Sequence, residues 1–330
     1  MSPYRDQVAA ALAAVTIRGP TRYTWLGHAS RPLPASLDVA LDDAARRRHL
    51  RSALREELYA SFFCHGEPVG ARGGRSEPAA DPWLVAAISE ANGGRGGWEP
   101  GWTVERIDDA EVVVAGARLR VRVPVADCRA PTGAPRPGAD VSVRMPKEIP
   151  SLSPGFFTVV SEAPADLTAA DRVVRVYWNI TRQGAPALVG ALTARLNAGR
   201  APFRLKVADH PFRLDRCDAA VLYLSGERFL ALRETLCDVA SALSAHLPAR
   251  IPAFTLELAP GVGVAEADGT GESFGIRRCG LLAEAIVLAH EQRITDAGAR
   301  VDAVAARFAE DGLQIDAPYL EPSLAGRHVL

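Results

Sequence analysis

The segment RVVRVYWNI at residues 172–180 decides the fold, because its apolar and polar side chains alternate. Successive side chains in a β-strand point to opposite faces of the sheet. Val174 and Val176 therefore share one face of the predicted strand, and Arg175 and Tyr177 share the other. A strand that presents apolar side chains on one face and an arginine on the other indicates a sheet with one face in the core and one face near a polar site.

Two further segments extend this pattern. FRLKV at residues 203–207 places Arg204 and Lys206 on one strand face, and AAVLYL at residues 219–224 is apolar on both faces, as in a buried central strand. Helical periodicity precedes and follows these strands. The sequence therefore predicts an α+β fold, with a helical N-terminal part packed on a mixed β-sheet that carries flanking helices.

Glycines mark the predicted domain boundary. NGGRGG at residues 92–97 separates an N-terminal helical region, residues 1–97, from a main domain, residues 98–330. Within the first region, the spacing of leucines predicts one helix from a cap at Ser36 to Phe62. Residues 147–157 hold two prolines and mixed bulky and charged side chains, and are expected to form an irregular loop.

The composition limits the classes of function. The 330 residues are 48% hydrophobic and 23% charged, which is typical of a globular protein. The net charge of −1 disfavours binding of the whole surface to nucleic acid or to an anionic membrane, but leaves room for a local cationic pocket. The N-terminus lacks the apolar core of a signal peptide, so a cytoplasmic location is expected.

Motifs for metals and nucleotides are absent from the sequence. Its five cysteines are widely spaced without a CxxC pair, which favours free thiols over zinc ligands or disulfides. No GxxxxGK[ST], GxGxxG, HExxH or GxSxG motif occurs. These absences favour chemistry that uses side chains alone, with no cofactor and no metal.

Basic residues recur at the predicted strands and their ends, and this is the informative feature of the sequence. If these side chains converge at one edge of the sheet, they would bind a phosphate group. The alternative is that each arginine pairs with a nearby acid such as Asp171, Asp215 or Asp218. The candidate phosphate-binding residues are Lys147, Arg175, Arg204, Arg213, Arg216, Arg278 and, in a glycine-rich turn before a helix, Ser273.

Three blocks of this sequence resemble the HopA-type effector family. They are residues 145–157, residues 175–207 with RVYWNI at their start, and residues 258–279 with the glycine-rich turn. The resemblance extends to LanY-type lyases, which occur with a kinase-like partner in class V lanthipeptide and thioamide-peptide biosynthesis, and to phosphothreonine lyases. It implies elimination of phosphate from a phosphoserine or phosphothreonine of a precursor peptide, which leaves dehydroalanine or dehydrobutyrine.

The resemblance also implies roles for single residues. Lys206 matches the catalytic base, Arg175 the basic strand residue and Arg216 a phosphate-binding arginine. Tyr177 stands where the family has a histidine acid, and His210 is an alternative proton donor. A lysine acts as a base only when its pKa is lowered, and Arg204, Lys147 and burial are expected to lower it.

Two alternatives to catalysis remain open at this stage. The chain could be a non-catalytic phosphopeptide-binding partner of a kinase-like subunit, since the histidine is missing, or an effector-like protein that binds another protein. The run of arginines at residues 46–48 is either a solvated helix face or a docking patch for an acidic partner. If the run is a docking patch, we expect a heterodimer with a kinase-like protein.

Overall fold

The computed structural model describes residues 2–72, 78–116, 120–164, 172–267 and 273–330. The helices are α1 Pro3–Ala14, α2 Ala35–Ala40, α3 Asp43–Ser61, α4 Pro82–Ala91, α5 Gly184–Ala198, α6 Gly226–Ala242, α7 Phe274–Glu291 and α8 Ala297–Glu310. The strands are β1 Val15–Gly19, β2 Arg22–Trp25, β3 His28–Ala29, β4 Gly97–Asp108, β5 Glu111–Ala115, β6 Arg120–Pro124, β7 Cys128–Arg129, β8 Asp140–Met145, β9 Glu148–Ser153, β10 Phe156–Val160, β11 Val173–Trp178, β12 Arg204–Ala208, β13 Ala220–Ser225, β14 Leu256–Ala259 and β15 Val262–Ala267. The predicted α+β class is confirmed.

A seven-stranded sheet in the order β14-β15-β11-β13-β12-β10-β9 forms the centre of the molecule. The sequence predicted a mixed sheet, but every pair described in it is antiparallel. One face carries Val174, Val176 and Leu222, which pack with Leu188 of α5 and Leu236 of α6 in a buried core. Burial of this continuous apolar face is the main stabilising contribution to the sheet.

The opposite face of the sheet is covered by helices from both ends of the chain. Here α3 packs against α7, and α7 packs against α8. Phe62 meets Phe254 edge-on with ring centroids 5.5 Å apart, and Phe63 contacts Phe274 at 6.0 Å. The N-terminal helices and the C-terminal helices therefore share one hydrophobic core.

Two smaller sheets complete the fold. A five-stranded sheet in the order β6-β5-β4-β8-β7 has its own core, which includes Trp102, Val112 and Val143. A three-stranded sheet, β1-β2-β3, follows α1 and was not predicted. The expected N-terminal helical part thus contains a small antiparallel sheet as well.

The predicted long helix from Ser36 to Phe62 is wrong, because the chain breaks at Leu41. Leu41 has an extended backbone, with ψ at 135°, and Asp42 caps a new helix by accepting a hydrogen bond from the Ala45 amide at 2.6 Å. An aspartate is among the best residues for capping a helix N-terminus. The local capping preference therefore overrides the leucine periodicity that suggested one continuous helix.

The expected irregular loop at residues 147–157 is also wrong. Strands β9 and β10 form an antiparallel hairpin there, with Gly155 in the left-handed region at φ +79°. Pro150 is tolerated because β9 is at the edge of the sheet, where an amide proton is not required for pairing. Part of the predicted glycine-rich turn, residues 271–272, lies outside the described residues, as does Asp171.

The described residues contain no helix that is both long and apolar enough to cross a membrane. All five cysteines are free thiols. Within the same residues, no cluster of three or more His, Cys, Asp or Glu side chains is suited to hold a metal ion.

Candidate functional site

A cavity of about 380 Å³ opens on the face of the seven-stranded sheet that α3 and α7 cover. Strands β11, β13 and β12 provide its floor. Tyr59 of α3 and Phe63 form one wall, and Ser273, which caps the N-terminus of α7 by accepting from the Ile276 amide, forms part of another. Ser153 and Pro154, at the turn of the β9–β10 hairpin, lie at the rim.

The floor is built from two cross-strand rows of side chains. In the first row, Arg175 on β11 and Arg204 on β12 both pair with Tyr223 on β13. In the second row, Tyr177 and Lys206 both pair with Val221. The alternation that predicted these faces therefore also brings three basic side chains and two tyrosines together on one surface.

Lys206 is half-buried on this floor. Its Nζ lies 5.4 Å from the centroid of the Tyr223 ring, and no carboxylate of the described residues forms a salt bridge with it. Burial lowers the pKa of Lys206, and the positive charges of Arg204 and Arg175 lower it further. The environment therefore favours the neutral amine, which is the form that accepts a proton.

Arg175 and Tyr177 are two residues apart on β11 and interact with each other. Arg175 is 7% exposed, and its Cζ lies 5.7 Å from the centroid of the Tyr223 ring. Burial raises the pKa of Tyr177, whereas Arg175 and its hydrogen bond lower it in part. The net result is a raised pKa, so the phenol of Tyr177 stays protonated at neutral pH.

A partly buried ion pair lies beside the cavity. Arg216 donates to both carboxylate oxygens of Asp218, from Nε at 2.8 Å and from Nη2 at 2.7 Å. Tyr59 donates its hydroxyl proton to Asp218 at 3.3 Å and accepts from Arg216 at 3.2 Å. Arg216 is thus held by Asp218, and the pair orients Tyr59 in the cavity wall.

Five of the predicted site residues do not line the cavity, and one of them, Arg216, forms the ion pair beside it. Lys147 donates from Nζ to the carbonyl oxygens of Ser89 and Asn92, both at 3.0 Å, and so closes the C-terminal end of α4. His210 accepts from the Phe212 amide at 3.1 Å and caps a short 3-10 turn.

The other two, Arg213 and Arg278, are buried elsewhere. Arg213 pairs with Asp209 at 2.6 Å and packs under the turn of the β9–β10 hairpin, where a Cβ on Gly155 would lie 2.8 Å from its Nε. Arg278 donates to the carbonyl oxygens of Pro318 and Leu320 at 2.9 Å, and so anchors the C-terminal segment. Arg175, Tyr177, Arg204, Lys206 and Ser273 are the predicted residues that do line the cavity.

Sequence reasoning missed three residues that shape the site. Tyr223 was assigned only to a buried strand, Asp218 only as a possible partner for an arginine, and Tyr59 was given no role in the site. The alternation of AAVLYL could have placed Val221 and Tyr223 on one face. The contact of Tyr59 with Asp218 joins residues 159 positions apart, and no local pattern indicates it.

Comparisons with known proteins match one family model and solved structures that include two effector proteins. The model of the HopA1 effector protein family matches residues 147–320. A solved effector protein from Pseudomonas syringae pv. tomato strain DC3000 aligns with a TM-score of 0.45 and 16% identity over 81% of this chain and 88% of the other. An effector protein from Pseudomonas syringae pv. syringae strain 61 aligns with a TM-score of 0.40 and 19% identity over 50% of this chain and 62% of the other. No curated protein sequence matches the chain significantly.

Proposed function

The chain belongs to the HopA1 effector protein family, and from this premise we propose that it is a phosphoserine/phosphothreonine lyase. Its substrate is a precursor peptide that a kinase-like partner has phosphorylated, as in the LanY-type lyases of lanthipeptide biosynthesis that the sequence resembles. The product is a dehydroalanine or dehydrobutyrine residue. We assign the chemistry to the domain at residues 98–330, with Tyr59 and Phe63 of the N-terminal region closing the cavity.

The observation that carries the proposal is the position of one lysine. Among 38 basic residues the chain has only two lysines, Lys147 and Lys206, and Lys206 lies on the cavity floor. An arginine stays protonated in proteins and cannot act as a base, whereas a lysine with a lowered pKa can. A lysine in the row next to two arginines therefore supplies a base without losing the positive field.

The two arginines of the first row suit a phosphate dianion. Arg175 and Arg204 flank Tyr223 from the two neighbouring strands. Guanidinium groups form charge-assisted, bidentate hydrogen bonds with phosphate oxygens. A phosphate bound over Tyr223 would lie one row away from Lys206. The Cα of the phosphorylated residue must then lie on the Lys206 side of the phosphate.

The reaction is a β-elimination. The neutral Nζ of Lys206 accepts the Cα proton, the electron pair of the C–H bond forms the Cα–Cβ double bond, and the bond between Cβ and the phosphate oxygen breaks with its electrons on the oxygen. Arg175 and Arg204 stabilise the charge that develops on the leaving phosphate. Tyr177, kept protonated by its raised pKa, is the proton donor to the leaving group in this scheme.

A single substitution tests the chemistry without removing the charge. Wild type is incubated with a synthetic phosphothreonine peptide, and loss of phosphoric acid is followed by mass spectrometry. Lys206→Arg is expected to abolish the loss but keep peptide binding, because arginine retains the cation and cannot accept the proton. Lys147→Arg is the matched control, and we expect it to retain activity. Equal activity of wild type and Lys206→Arg would disprove Lys206 as the base.

A second candidate function is phosphopeptide binding without catalysis. The observation that favours it is the tight pairing of Arg216 with Asp218, which leaves fewer free cations for the phosphate than the resemblance implies. The same experiment separates the candidates, since binding without phosphate loss by both wild type and Lys206→Arg supports the binding function.

The kinase-like partner remains part of the proposal, with the arginine run as its docking patch. Arg46 and Arg47 form intrachain ion pairs with Asp43 and Glu291, and Arg48 is exposed. Loss of co-purification with the kinase-like protein after Arg48→Ala would support the patch. Unchanged co-purification after replacement of all three arginines would exclude it.

A further inference from the structure

A second, smaller cavity lies where the five-stranded and seven-stranded sheets meet. Its volume is about 70 Å³, and we call it the junction cleft. Apolar side chains from both sheets dominate its wall, with Arg204 at one side. The wall contains the apolar residues Trp98, Met145, Ile149 and Leu152, and the charged residues Arg204, Glu99 and Glu162 also line the cleft.

Arg204 lines both the junction cleft and the larger cavity. It is two residues from Lys206 on the same face of β12, and such neighbours along a strand lie about 6.6 Å apart. The two cavities therefore share Arg204 as a lining residue. A peptide that places its phosphate near Arg204 has its neighbouring residues within reach of the cleft.

The junction cleft is part of the fold. A Cβ on Gly97 would lie 1.9 Å from the carbonyl oxygen of Glu162, so only glycine lets β4 approach the end of β10 so closely. Arg95 donates its amide proton to the Glu162 carboxylate at 3.0 Å and secures the same junction. The Trp98 ring is held from the other side by Arg129, whose Cζ lies 4.2 Å from the ring centroid.

The size and chemistry of the cleft fit one apolar side chain. A water molecule needs roughly 10–15 Å³ of such volume, so the cleft has room for about five waters, comparable with a leucine side chain. Leu152 at its edge is 46% exposed, which leaves apolar surface in contact with solvent beside a polar cavity. An apolar side chain of a bound peptide would cover this surface and gain free energy by its own burial.

We infer that the junction cleft is a subsite for an aliphatic or aromatic side chain of the peptide substrate, two or three residues from the phosphorylated residue. The inference rests on the proposed function, because it takes the phosphate to lie near Arg204. Side chains two positions apart in an extended peptide point the same way and lie about 6.6 Å apart. A peptide can therefore place one side chain in each of two cavities that share Arg204 as a lining residue. The subsite gives the enzyme a preference for sequence around the phosphothreonine.

The test uses synthetic alanine-rich peptides with a central phosphothreonine and with leucine, alanine or aspartate at each of the three positions on either side. Binding is measured by fluorescence anisotropy, and elimination by mass spectrometry. With wild type, leucine two or three residues away on one side is expected to bind about tenfold more tightly than aspartate there. Leu152→Asp is expected to remove this preference for leucine.

Leu230→Asp on α6 is the matched control, since Leu230 is 53% exposed and lines neither cavity. It retains the wild-type preference. Equal affinity of wild type for the leucine, alanine and aspartate peptides at all positions, or no binding of any of them, overturns the subsite. Binding with the expected preference but without phosphate loss supports the subsite and contradicts the lyase proposal, so the two failures are distinguished.

Discussion

Arg216 and Asp218 form a bidentate ion pair beside the cavity, with distances of 2.8 Å from Nε to Oδ1 and 2.7 Å from Nη2 to Oδ2. Asp218 is buried, and it also accepts a hydrogen bond from Tyr59. Loss of one partner of such a pair leaves a buried charge without compensation, which costs more than the pair itself contributes. The pair therefore matters for stability as well as for the shape of the cavity wall.

We expect Asp218→Ala to lower the free energy of unfolding by about 3–5 kcal/mol, because the Arg216 guanidinium loses its only carboxylate partner among the described residues. Urea denaturation followed by circular dichroism measures the change. Asp302→Ala is the control, since Asp302 pairs with Arg5 at an exposed site and should contribute less than about 1 kcal/mol. Equal effects of the two substitutions would contradict the structural role of the buried pair.

The pH dependence of elimination should follow Lys206. The proposed base is the neutral amine, so kcat/KM should rise as the pH increases through its pKa, and a lowered pKa moves that rise to lower pH. Arg204→Met removes one of the charges that lower the pKa, so the rise should move to higher pH. The pH profile of kcat/KM measures this shift, whatever the variant does to binding.

Arg195→Met is the control for this shift, since Arg195 lies exposed on α5, which packs on the opposite face of the sheet. Its profile should match that of wild type. If the rise in kcat/KM stays at the same pH in Arg204→Met, the charge of Arg204 does not act on the base.

Tyr177→Phe tests the proton donor. Removal of a general acid lowers the rate by about 10²-fold or more, so kcat should fall by that factor while KM changes little. Tyr223→Phe keeps the ring between the two arginines and is expected to stay within tenfold of wild type. A loss of activity in Tyr223→Phe that equals the loss in Tyr177→Phe would remove Tyr177 from its assigned role.

The turn of the β9–β10 hairpin depends on Gly155. Its φ of +79° is unfavourable for an L-residue, and a Cβ would lie 2.8 Å from Arg213 Nε, in a side chain fixed by Asp209. Gly155→Ala should therefore destabilise the protein by about 2–4 kcal/mol in thermal or urea unfolding. Gly138→Ala has a similar φ of +80° with open space around it and should cost only about 1–2 kcal/mol.

The sheet and half of the candidate site could be predicted from alternation alone. The positions of Arg175 and Tyr177 on one face follow from a period of two, and so do those of Arg204 and Lys206. The β9–β10 hairpin was missed because prolines normally disfavour a strand, and only the edge position of β9 makes Pro150 acceptable. That position is a property of the assembled sheet and cannot be read from the segment.

The remaining predicted residues depend on where distant segments lie. Arg278 was expected to face the cavity, but the carbonyl oxygens of Pro318 and Leu320 come within 2.9 Å of its guanidinium. The path of the C-terminal segment determines this contact, so the sequence of α7 alone does not predict it. In the same way, Tyr59 joins Asp218 only because α3 packs on the sheet face next to α7.

The wall formed by Tyr59 and Phe63 comes from outside residues 147–320, the part of the chain that matches the family, whereas the floor lies entirely inside it. The wall and the floor of the cavity therefore come from different parts of the chain. A substitution in α3 changes the shape of the wall and leaves the basic strands of the floor as they are. A fragment that begins at residue 98 would keep every charged group of the floor and lose the wall formed by Tyr59 and Phe63.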